Sequence, residues 1–188
     1  RGILCDGIMI DIDIKYCHNQ IIINLCKKYD IKYNYIQEYI DHREDKLNEL
    51  MKYHKINRAE AKNAFLSPLN KIVITKEINS KNVKKNSFYE KYDMQTKEIL
   101  NRLFDIYSNK DEYNGEVNRI KKEAIKKDKD WNYKGMFISL ILRTEEDKIL
   151  KKAIKFINKN YDFDIGVLMF DGMMIYKNDN VNYDEVID

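Results

Sequence analysis

Asp11, Asp13, Arg58, Lys62 and Asp171 are the residues whose types and spacing could do chemistry. The two early aspartates lie in a stretch where Ile8, Ile10, Ile12 and Ile14 alternate with Met9, Asp11, Asp13 and Lys15. A period of two puts the isoleucines on one strand face and both carboxylates on the other. A helical pattern follows, with Ile21, Ile22, Leu25 and Cys26 inward and Lys27 and Lys28 closing it. Carboxylates at a strand exit can hold a divalent metal, or simply face water. Arg58 and Lys62 stand four apart on one helix face, where a guanidinium fork and a point charge can grip a triphosphate. They could equally pair with neighbouring acids or face solvent. Asp171-Gly172 separates apolar runs at 165–170 and 173–176, a β-hairpin signal. Aspartates on neighbouring strands can bridge two ions, which activate an attacking hydroxyl and neutralise a leaving pyrophosphate.

These residues need elements to position them. The chain's 188 residues suffice for one domain with a real core, or a core domain with an insertion. Hydrophobic residues at 44% and charged ones at 35% place it among globular chains. Few glycines and one proline disfavour a glycine-loop nucleotide fold and favour long helices. Residues 35–54 read as one amphipathic helix. Asn57 with Glu60 forms a capping box for the next, which Pro68 should kink or end. Residues 71–134 read as lysine-rich helices broken at Asn114-Gly115, a solvated face or a contact for a polyanion. An apolar run at 135–142 precedes an amphipathic helix over 145–159.

Cys5, Cys17 and Cys26 are odd in number and form no CxxC pair, which suits an intracellular, reducing compartment. No run approaches a membrane span and no secretory signal opens the chain, so no membrane partner is expected. Arg1 at the start and the abrupt end read as a piece of a longer polypeptide.

The chain resembles the palm and fingers of family A DNA polymerases, especially a divergent branch encoded by large DNA viruses. DIDIKYCHNQIII is similar to that family's first motif, RAEAKNAFLSPLN to its fingers helix, and LMFDGMMI to its third motif. The resemblance implies Asp13 and Asp171 as catalytic ligands of two Mg2+ ions (Mn2+ as a substitute), with the Ile14 carbonyl beside Asp13. It implies Arg58 and Lys62 on the triphosphate, His18 under the incoming sugar, and Phe65 and Leu66 near the fingers aromatic position. Arg143 falls where the family touches template. Asp11 competes with Asp13 for the metal. Leu66 stands in place of the aromatic, and Phe170 and Gly172 replace a histidine and a glutamate around Asp171.

The expected fold is α+β: a small antiparallel palm sheet with packed helices, from residues 1–34 and 136–188, around a helical fingers-like insertion at 35–135. The expected function is template-directed nucleotidyl transfer on a DNA primer-template with nucleoside triphosphates, with Lys84, Lys85, Lys121 and Lys122 on the nucleic-acid backbone. Other replication proteins or further domains are the expected partners. A primase or RNA-polymerizing palm, and a nucleic-acid-binding module without catalysis, are the alternatives.

Overall fold

The computed structural model describes residues 7–70, 88–129, 132–161, 164–169 and 172–177. The fold is α+β, with a three-stranded antiparallel sheet and a larger set of helices. The elements in order are β1 (Met9–Asp13), α1 (Cys17–Lys28), α2 (Asn34–Asp41), α3 (Arg43–His54), α4 (Arg58–Asn70) and α5 (Phe88–Ser108). A 3-10 turn (Asp111–Tyr113), α6 (Glu116–Lys126), α7 (Tyr133–Asn160), β2 (Ile165–Met169) and β3 (Gly172–Tyr176) follow. The chain divides into a sheet unit, residues 1–17 and 143–188, and a helical unit, residues 18–142.

In the sheet unit the strand order is β1-β3-β2. β1 pairs with β3 so that Ile10 faces Ile175, Ile12 faces Met173 and Asp13 faces Gly172. The alternation holds: Ile10 and Ile12 are half-buried while Asp11 and Asp13 are exposed. Leu150 and Ile157 of α7 form a buried cluster with Met173 and Ile175, and Ile10, Ile12, Ile154 and Ile165 pack against it. These are residues three and four apart on α7 meeting residues two apart on the strands. The hairpin expected around Asp171-Gly172 is present as β2 and β3.

The helical unit is built around aromatic side chains. Phe65 is 1% exposed and stacks on Tyr39, with ring centroids 4.3 Å apart. Tyr92, fully buried, lies edge-on to Phe65; its hydroxyl donates to the Phe65 carbonyl at 3.1 Å and accepts from the Asn19 amide at 3.2 Å. One phenol thereby ties α1 and α4 to α5 without leaving a buried polar group unpaired. Burial also pushes the Cys26 thiol up to about 12, which leaves it protonated and inert at neutral pH.

Some element expectations need correction. Residues 35–54 are two helices, not one: His42 leaves helical geometry at φ −124° and separates α2 from α3. Of the two outcomes expected at Pro68, a kink or an end, the helix is seen to continue past it to Asn70. A proline at 68 lacks the N–H that would bond the Ala64 carbonyl. The Tyr89 hydroxyl from α5 donates to that carbonyl instead, at 3.3 Å. The apolar run at 135–142 is not a separate element but the first part of the 28-residue α7. The capping box is as expected, with Asn57 Oδ1 accepting from the Glu60 amide at 2.9 Å and Glu60 Oε2 accepting from the Asn57 amide at 2.8 Å.

Candidate nucleic-acid interface

The sheet unit carries the acidic residues. Asp13 ends β1, exposed, directly across from Gly172. The absence of a side chain there has a steric reason: a Cβ on Gly172 would run into Asp13 Oδ1 and sit 2.5 Å from the Ile12 carbonyl oxygen. Ile14 follows, half-buried. Asp171 precedes Gly172 in the chain and lies outside the described residues, as do Lys84 and Lys85. Asp11 and Asp13 supply oxygen donors of the kind magnesium prefers. Among the described residues no group of three or more His, Cys, Asp or Glu side chains is gathered to hold a metal. Arg143 is exposed on α7.

In the helical unit, α4 presents Arg58 on its exposed side and Lys62 half-buried one turn later. Arg58 does not stand open: its guanidinium donates to Glu44 of α3 at 2.5 Å. That hydrogen bond holds the Glu44 carboxyl below its ordinary value. Phe65 gives its ring to the core, whereas Leu66 is 47% exposed on the surface. His18 lies in the first turn of α1, half-buried. Lys121 and Lys122 are exposed on α6. Their neighbour Arg119 is held between Glu116 and Glu123, at 2.6 Å from each.

A cationic assembly of which sequence reasoning named only Lys121 lies in the same unit. Tyr29, Tyr107, Tyr113, Phe137, Phe104 and Tyr133 form a continuous run of edge-to-face rings, with successive centroids 5.9, 5.7, 5.7, 5.5 and 5.9 Å apart. Lysines cover both ends. Lys110 Nζ lies 3.9 Å from the Tyr107 centroid and donates to the Tyr29 hydroxyl at 2.8 Å. Lys28 sits 5.4 Å from the Tyr29 ring. At the other end Lys134 stands 4.8 Å over Phe104 and Lys121 5.5 Å over Tyr133. The faces of the rings attract the ammonium groups and fix long side chains that would otherwise sweep through solvent, each contact worth about 0.5–1 kcal/mol at an exposed site.

Electrostatics at Tyr29 register the assembly. Burial pushes its phenol up, but hydrogen bonds with Lys110 and Tyr107 and the charges of Lys110 and Lys28 outweigh that. Its pKa therefore lies below the ordinary tyrosine value. The local hints of this cluster are the Lys27-Lys28-Tyr29 run closing α1 and Lys121 in the lysine-rich stretch at 71–134. Lys110 comes from 81 residues away, a separation no periodicity reports.

Among the described residues no helix is long and apolar enough to cross a membrane. No family model and no solved structure matches the chain. A curated protein does: "Putative helicase V13" of Sputnik virophage is 28% identical over 183 residues. The match takes in 93% of this chain but 22% of the relative, so the chain spans about a fifth of the relative's length. The expectation of a template-directed DNA polymerase is corrected by this match, since the relative bears the name of a helicase. The alternatives, a primase or RNA-polymerizing palm and a catalytically degenerate nucleic-acid-binding module, are not what the relative's name describes either.

Proposed function

We propose that this chain is a nucleic-acid-engaging segment of a helicase-type viral replication protein, and that it takes hold of the phosphate backbone. The observation that carries the reading is the lysine set of Lys28, Lys110, Lys121 and Lys134, pinned on aromatic faces. Pre-positioned ammonium groups replace the counterions of a polyanion with less loss of side-chain freedom than unanchored lysines. The virophage relative supports the viral and helicase-type context. Hydrolysis of nucleotide is not assigned to this chain. Its sequence holds no Gly-Lys pair, and a phosphate-cradling GxxxxGK[ST] loop requires one.

The test is the affinity of the chain for a labelled single-stranded oligonucleotide, measured by fluorescence anisotropy. Lys110→Ala and Lys121→Ala should each weaken binding about equally for every base sequence, because they contact phosphate and not base edges. Unchanged affinity in the double variant would reject the reading.

A further inference from the structure

The part of α7 that belongs to the sheet unit carries a basic stripe with an aromatic ring set in it. Lys152, Lys155, Phe156 and Lys159 are all exposed, and their spacing of three and four gathers them on roughly a third of the helix surface. The stripe lies opposite Leu150 and Ile157, which α7 buries against Met173 and Ile175 of β3. The acids of α7 all precede it. Glu145 pairs with Lys148 at 2.8 Å and Asp147 with Lys151 at 2.6 Å, and residues 148–160 contain no aspartate or glutamate. Phe156 is 57% exposed, yet it is held in place. Its ring meets that of Tyr161 at 6.2 Å between centroids, inclined by 65°, and Tyr161 packs against the buried cluster. The Phe156 carbonyl accepts from the Asn160 side-chain amide at 2.7 Å, which closes the last turn.

We propose that this stripe is a second contact for a single-stranded nucleic acid, with Phe156 stacking on a base while Lys152, Lys155 and Lys159 meet phosphates. The inference rests on the backbone-binding reading and adds to it a base contact made by the sheet unit. Charge complementarity selects the occupant. A single strand repeats an anion and a flat π-face at every nucleotide, and an acid-free lysine face with an open ring offers the complement of both. The helix dipole accounts for a cation in the last turn, where Lys159 sits, but not for Lys152, about two turns from the end. An exposed phenylalanine by itself calls for no partner; this one stands among three lysines. A duplex keeps its bases stacked on one another and leaves the ring unused. A lipid surface requires an apolar face wider than one ring.

Variants of the full chain test this by anisotropy titration of a base-bearing strand of about 12 nucleotides against an abasic strand of equal length and charge. Phe156→Ala should weaken binding of the base-bearing strand about tenfold and leave the abasic strand unchanged. Phe156→Tyr, which keeps a ring, should bind as wild type does. Phe156→Leu, which keeps apolar area without a π-face, should behave like the alanine variant. Lys155→Ala should weaken both strands alike and make the salt slope less steep by about 0.7. A strand carrying iodouracil should photocrosslink to the peptide that contains Phe156. Unchanged affinity of Phe156→Ala for the base-bearing strand overturns the proposal, and so does wild-type binding by Phe156→Leu. A loss of self-association in Phe156→Ala at unchanged strand affinity would likewise overturn it and assign the face to a second copy. If the Phe156 variants respond as stated while Lys110→Ala with Lys121→Ala binds normally, this contact stands and the lysine assembly of the helical unit is rejected; the reverse pattern rejects this contact alone.

Discussion

At the scale of single residues, the backbone decides more than the charges do. Gly172 exists for the close approach of β1: an added Cβ meets a backbone oxygen of Ile12, which has less freedom to move than a side chain. Gly172→Ala should therefore destabilise the protein by about 1–3 kcal/mol, with chemical denaturation as the readout and amide shifts concentrated in β1 and β3. A wild-type midpoint would contradict the close approach. Tyr29 makes a different kind of statement. Its folded pKa is depressed, so the phenolate form is favoured by folding. The contribution to stability is absent at neutral pH, appears as pH rises through the folded pKa, and is full above the unfolded value of about 10. Tyr29→Phe should delete a phenol that titrates below the ordinary tyrosine value in an absorbance titration and flatten that alkaline gain. Lys110→Ala should move the same phenol upward.

At the scale of elements, the interior of α4 depends on a side chain from α5. Tyr89 supplies the hydrogen bond that Pro68 denies to the Ala64 carbonyl. Tyr89→Phe should cost about 1–3 kcal/mol, the penalty for a buried acceptor left unmade. Pro68→Ala restores the amide donor, so the Tyr89→Phe cost should shrink in that background. A double-mutant cycle with no coupling between these positions would contradict the account. The elements also show what is legible in sequence. The Ile10/Ile12 and Asp11/Asp13 alternation, the Asn57–Glu60 capping box and the Asp171-Gly172 hairpin follow from neighbours along the chain, and each is readable there. The break at His42 carries no proline or glycine to announce it, and the donor that meets the carbonyl Pro68 leaves open comes from a residue 25 positions from Ala64. Contacts of that kind are tertiary, and local pattern does not contain them.

At the scale of the whole molecule, cations matter through their placement more than their number, the net charge being only +3. Arg58 and Arg119 are committed to Glu44, and to Glu116 and Glu123. Lys28, Lys110, Lys121 and Lys134 are arranged on rings, and the sequence pattern points to Lys121 among these while missing the others. The chemistry inferred from Asp13, Arg58 and Lys62 leads to a polymerase, an expectation corrected by the match to a virophage protein that bears the name of a helicase. Short motifs specify residue types; the partner is decided by which charges remain exposed after folding. The direct measurement is the slope of log affinity against log salt for a single strand, in wild type and in Lys110→Ala. The account predicts a slope less steep by about 0.7 in the variant, as expected when one fewer phosphate is neutralised. An identical slope would mean that the lysines on the aromatic run do not meet nucleic acid.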